Sequence, residues 1–204
     1  MADLLDKLTD TIRSGSIGKA TKRSAKWFRD KIQGLKGGLR NRFSTTNPDK
    51  FYRESDNKIN PNLLSRRASL GSLYCYHYDP KYKATLPYYD VFPMIMLIGV
   101  ESDTFLGLNF HYLPIPLRVR LLDKINTIPE DNQYNDGEQL RINYARARTI
   151  PMAKAVIKRY LYGHLKSQIR VVTPDEWVIA VLLPVQRFKK ASTSKVYNET
   201  KKMF

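Results

Sequence analysis

Positive charge in this chain is concentrated at its two ends, and that partition decides which stretch can build a core. Between Thr11 and Arg42 there are ten basic residues (Arg13, Lys19, Lys22, Arg23, Lys26, Arg29, Lys31, Lys36, Arg40, Arg42) against Asp30 alone. From Gly71 to Ile150 eight basic residues face nine acidic ones, and from Pro151 onward eleven face three. A near-neutral middle between two basic ends predicts a folded body with basic flanks. The 204 residues suffice for one domain and an appendage, and a hydrophobic share of 42% supplies an ordinary core. A net charge of +16 opposes compaction by self-repulsion. It calls for something acidic nearby: nucleic acid, an anionic membrane, or acidic neighbours in an assembly.

The single Cys75 allows no internal disulfide, which fits a reducing compartment or a particle assembled in one. The opening Met1-Ala2-Asp3-Leu4-Leu5-Asp6 lacks the basic-then-apolar layout of a signal peptide. The longest apolar run, Val91 to Val100, contains Pro93 and Gly99 and is half of the ~20 residues a membrane-spanning helix needs. No membrane span is expected.

Three regions follow. Residues 1–70 read as a basic arm with amphipathic helices at Ala2–Arg13 and Ala20–Leu35 and a polar connector over 43–65. Residues 71–186 read as the core domain, and 187–204 as a basic tail. Within the core, Leu73–Tyr78, Val91–Val100 and Phe105–Leu113 predict three strands of an antiparallel meander. Gly107 marks a bulge or a close backbone approach. Leu117–Ile125 and Met152–Leu165 predict helices, Ile169–Val172 a short strand, and Trp177–Leu183 a buried strand after Thr173–Glu176, which reads as a capped turn or a one-turn helix start. The fold class is α+β: a small antiparallel β domain, read as an SH3-like partly open barrel, with a few helices and a long basic N-terminal arm. The expected core is Leu73, Phe92, Ile95, Leu97, Phe105, Leu108, Phe110, Leu121, Leu122, Ile157, Leu161, Trp177, Ile179 and Val181.

Catalytic signatures are missing from the sequence. It has no phosphate-binding loop, no dinucleotide fingerprint, no nucleophile elbow and no zinc-protease helix. Cys75 and His77 sit two apart on a predicted strand, with His111 the one plausible further ligand. A core thiol and a strand-face histidine account for them without a metal. Acids such as Asp79 and Asp90 fall at predicted turns, where they need no catalytic role. The expectation is a non-enzyme with no catalytic residues, no metal and no cofactor.

The binding signal lies in the basic segments. Lys19, Lys22, Arg23, Lys26, Trp27, Arg29, Lys31, Lys36, Arg40 and Arg42, with Phe28, interleave cations and aromatics. Such a segment suits phosphate contact with base stacking, or anchoring in a protein groove. Arg187, Lys189 and Lys190, followed by Lys195, Lys201 and Lys202, form a second cluster. Tyr74, Tyr76 and Tyr78 share one strand face. They serve either as a stacking platform or as core beneath the helices.

Several stretches resemble a family of virion proteins from T-even-like contractile-tailed bacteriophages. They are Ser24–Phe28, Tyr76–Lys83, Leu86–Asp90, Phe92-Pro93, Phe105–Pro114, Ile157–Leu161, Asp175–Trp177, Leu183-Pro184 and Phe188–Ser192. The resemblance spans most of residues 24–192. It implies a non-catalytic structural role tied to DNA-end protection or head completion, with a tail or baseplate component as the competing role. The expected partners are other virion subunits in a multi-subunit assembly and double-stranded DNA. The expected location is the virion, assembled in the host cytoplasm. The alternatives are a sequence-independent nucleic-acid-binding protein outside any particle and a metal-dependent nuclease using the middle acids.

Overall fold

The computed structural model describes residues 58–60, 69–125, 144–172, 180–181 and 185–203. The expected arm residues 1–42 and the loop over 126–138 lie outside them, as do Trp177 and Ile179 and the side chain of Leu122. The described elements are strands β1 (Lys58–Ile59), β2 (Leu73–Cys75), β3 (Tyr89–Asp90), β4 (Met94–Val100), β5 (Thr104–Asn109), β6 (Ile157–Leu161), β7 (Ile169–Val172) and β8 (Phe188–Lys189). The helices are α1 (Ile115–Ile125), α2 (Tyr144–Ala147), α3 (Pro151–Val156) and α4 (Thr193–Lys201).

Six strands form one sheet in the order β1-β7-β2-β4-β5-β6, and β3 pairs with β8 in a second, two-stranded sheet. Every pairing is antiparallel. The meander expected from the sequence is therefore present as β2-β4-β5. Its alternation decides the layering. Leu73, Met96 and Leu108 lie in register on one face, with Cys75, Met94, Phe92, Leu121, Val156 and Val196 in the same buried cluster. Tyr74, Tyr76, Ile95, Leu97, Phe105 and Tyr160 fill the opposite face. Burying each large apolar side chain contributes about 1.5–3 kcal/mol, so a sheet packed on both sides gains twice from each strand.

Aromatic contacts organise the second face. Tyr160 stacks on Phe105 with centroids 5.4 Å apart, and Tyr76 and Tyr78 meet its ring edge-on at 5.7 and 5.1 Å. The tyrosines of the first strand are core and not an exposed platform. The chain leaving β6 covers them: Leu165 bridges back to Tyr78, whose hydroxyl accepts from Leu161 N–H at 3.1 Å. Gly107 is needed here, because a Cβ on it would lie 2.5 Å from Ile95 Cδ1. Its register partner is Leu97, and the bulge lies on that neighbouring strand between Leu97 and Gly99.

Four element boundaries differ from the expectation. The first strand ends at Cys75 because the partner chain there runs into Pro93, which has no N–H to donate. The third ends at Asn109, whose Oδ1 accepts from His111 N–H and turns Phe110–Tyr112 into a 3-10 turn. The helix expected over Met152–Leu165 stops at Val156, and Ile157–Leu161 becomes β6. Pairing Tyr160 with Phe105 along the open edge of β5 outweighs helical spacing. Within the stretch expected as a buried strand, Ala180 and Val181 are helical and fully buried. Thr173-Pro174-Asp175-Glu176 lie outside the described residues.

Residues 187–203, expected as a basic tail, carry β8 and α4 packed on the core. Ser192 caps α4, and Val196 and Thr200 are buried. Arg118 clasps this end from inside the protein. Its guanidinium donates to Leu113 O and Val181 O at 2.8 Å, to Gln186 Oε1 at 3.2 Å and to Tyr197 Oη at 3.1 Å. Burial lowers its pKa, and the hydrogen bonds keep the charge tolerable there.

Candidate nucleic-acid interface

The site is founded on Asp90, a buried carboxylate in β3. Oδ1 accepts from the backbone N–H groups of Phe92 (3.0 Å) and Arg187 (3.2 Å). Oδ2 accepts from Asn109 Nδ2 (3.3 Å) and His111 Nδ1 (2.7 Å). Asn109 Nδ2 also donates to Tyr160 Oη at 3.1 Å. One carboxylate thus joins β3, the approach to β8, the end of β5 and the 3-10 turn after it. Burial holds His111 below the usual histidine range and outweighs the opposite pull of Asp90. Burial thereby favours the neutral ring, whose Nδ1, when protonated, donates to the carboxylate.

This network fixes the β3–β8 ladder, Tyr89 opposite Lys189 and Asp90 opposite Phe188, with Val91 N–H donating to Arg187 O at 2.9 Å. Residues from the end of the chain are thereby set beside the turn that precedes β3. Lys190 seals the junction. Its Nζ donates to Ala84 O at 2.7 Å and Leu86 O at 3.1 Å. Its backbone has φ 66°, a left-handed conformation that lysine rarely adopts and that persists only where surrounding bonds over-determine it.

The turn itself is closed on Tyr82. The Tyr82 carbonyl accepts from Thr85 N–H, Leu86 N–H and Thr85 Oγ1, all at 3.1 Å, and Lys83 N–H donates to Pro80 O at 3.3 Å. Its backbone is spent inward, so the side chains of Lys81, Tyr82 and Lys83 point out. Tyr82 is 62% exposed, with Lys81 Nζ 5.5 Å from its ring centroid. Lys83 Nζ bonds both oxygens of Asp79 at 3.0 and 2.9 Å. That hydrogen bond, then the charges of Lys83, Lys166 and His164, hold the Asp79 carboxyl below its ordinary value. Lys166 and His164 therefore gather round the same turn. His164 Nδ1 lies 2.8 Å from Asp79 O, and Lys166 N–H donates to His77 O at 2.8 Å. Tyr89, whose partner is Lys189, lies close enough to act electrostatically on Lys83.

The result is a surface carrying Lys81, Lys83, Lys166, Lys189 and Lys190 from three separate stretches of chain, with an exposed tyrosine in it. Chemically it can take an anion along its lysines and a flat ring against Tyr82.

Of the residues singled out from the sequence, Lys189 and Lys190 lie in this surface and Arg187 is exposed beside it. Lys19, Lys22, Arg23, Lys26, Trp27, Arg29, Lys31, Lys36, Arg40 and Arg42 lie outside the described residues. Lys81, Tyr82, Lys83 and Lys166 were not singled out. The available signal was the Lys-Tyr-Lys interleaving directly after the Asp79-Pro80 turn, masked by the neutrality of the surrounding segment. Cys75 is buried, His77 packs on Phe92 with ring centroids 4.9 Å apart, and His111 is committed to Asp90. Among the described residues no three metal-capable side chains come together, and no helix is long and apolar enough to cross a membrane.

Fold and surface together define an α+β module with exposed lysines around one ordered turn. The family model for the phage T4 terminal DNA protecting protein matches residues 44–203, and the chain belongs to that family. No curated protein and no solved structure gives a significant match.

Proposed function

We propose that this protein is a non-enzymatic component of a tailed-phage particle that binds the ends of the duplex genome. The observation that carries the reading is the exposure of Lys81, Lys166 and Lys189 about the turn that the Lys83–Asp79 pair and Lys190 hold in place. Family membership supplies the class of ligand. Terminal DNA presents closely spaced phosphates, and lysines that replace condensed counterions there gain affinity that falls steeply with salt.

The basic segment over residues 11–42 extends the same contact, along the duplex or into neighbouring virion subunits. The antiparallel sheet is read as a partly open, SH3-like scaffold. The protein acts where the genome ends meet the particle. It enters the particle during assembly in the host cytoplasm.

Exonuclease protection tests this reading. Stoichiometric protein should block digestion of linear duplex from its ends at low salt and lose the effect as salt rises. Digestion at the same rate with and without protein contradicts it. Cleavage of closed circular DNA by the protein itself, with magnesium added, would overturn the non-enzymatic assignment.

A further inference from the structure

Tyr82 is anomalous in this fold. Of the other aromatic residues of the region, Tyr76, Tyr78, Phe92 and Tyr112 are buried, Tyr88 packs against Phe188, and Tyr89 is half-buried in β3. Tyr82 keeps most of its surface in solvent on a turn held from several sides. Its carbonyl takes three hydrogen bonds. Lys190, in a conformation costly for lysine, ties down the two carbonyls that follow at Ala84 and Leu86. Asp79, at the start of the turn, is fixed by Lys83 and by reciprocal bonds with His164. A side chain that only needs to stay in water requires no such bracing. A ring that must meet a flat partner does, because preorganisation lowers the entropy lost on contact.

The surroundings specify the partner. Lys81 is beside the ring, and Lys83, Lys166 and Lys189 lie around the turn. Along intact duplex the base faces are covered by their neighbours and a protruding ring finds none. At a duplex terminus one base-pair face is open, with the first phosphates of both strands beside it. A flat ring surrounded by ammonium groups matches that arrangement.

We propose that Tyr82 stacks on the exposed face of the terminal base pair, while Lys81 and Lys166 hold the first phosphates. This rests on the DNA-end reading above and adds to it the residue that distinguishes an end from the middle of a duplex.

The test uses the full-length chain and two probes of equal length and sequence, a blunt linear duplex and a covalently closed circle. A second blunt duplex carries 2-aminopurine in its terminal pair. Wild-type protein should prefer the linear probe and change the 2-aminopurine fluorescence. Tyr82→Ala should lose about tenfold or more in affinity for the linear probe, in line with one stacked base, keep its affinity for the circle, and abolish the fluorescence change. Tyr82→Phe should stay within about threefold of wild type, since the ring and not the hydroxyl is used. End preference and fluorescence response that survive in Tyr82→Ala overturn the stacking and leave the DNA-end reading intact. The same holds if Tyr82→Ala weakens linear and circular probes equally. No end preference in the wild type overturns both.

Discussion

Lys190 Nζ donates to the carbonyl of Ala84 at 2.7 Å across 106 positions of sequence. Through this bond the end of the chain sets the shape of the turn that displays Tyr82. Lys190→Met keeps the aliphatic stem and removes the donor. It should cost about 0.5–1.5 kcal/mol of stability, as one or two hydrogen bonds at an exposed site do. Amide exchange at Thr85 and Leu86 should quicken while that of β4 stays unchanged.

Asp90 holds four donors with one buried carboxylate. Asp90→Ala strands the Phe92 and Arg187 amides, Asn109 and His111 at once, and should destabilise by about 3–5 kcal/mol. The urea midpoint would report it, and a shift equivalent to less than about 1 kcal/mol would mean the network is not organised as described.

The histidine in this network gives stability a pH dependence of fixed sign. The unfolded chain protonates His111 near pH 6.5, whereas the folded ring, buried beside Asp90, stays neutral to lower pH. Its contribution is complete above pH 6.5 and is lost as the pH falls through that value toward the folded pKa. Asp79, held below the ordinary carboxylate range by its hydrogen bond with Lys83, acts in a separate window below about pH 4. Denaturation between pH 7 and 5 should show falling stability in the wild type and a flatter profile in His111→Gln.

Gly107→Ala places a Cβ 2.5 Å from Ile95 Cδ1 and 2.7 Å from Ile95 Cβ. The second atom is next to backbone and cannot rotate away. The substitution should cost about 1–3 kcal/mol by overpacking, read as a lower melting temperature. An unchanged melting temperature would show that β4 and β5 can separate freely there.

Much of the fold was legible because it rests on local pattern. The meander follows from runs of β-branched and aromatic residues bounded by turns, and Gly107 signalled its close approach. β6 was not legible, since Ile157–Leu161 satisfies helical spacing and becomes a strand only because β5 offers an open edge and Phe105 a stacking partner for Tyr160. The site was half legible. Lys189 and Lys190 stood out as part of a basic cluster, whereas Lys81 and Lys83 sit in near-neutral sequence and Lys166 stands apart from that cluster. The Asp90 network brings Lys189 and Lys190 to the turn, and the bonds of Lys166 to His77 and of His164 to Asp79 bring Lys166 there, long-range arrangements that no local window contains.

The central claim is that the lysines of the folded domain bind DNA. The most direct measurement is the affinity of full-length wild type and of Lys81→Glu/Lys166→Glu/Lys189→Glu for a blunt duplex across a salt series. All three residues are exposed, so the melting temperature should be nearly unchanged. The account predicts a loss of about tenfold or more at low salt and a slope of log affinity against log salt that is shallower by about 3. Equal affinity and equal slope in the folded triple variant would contradict it.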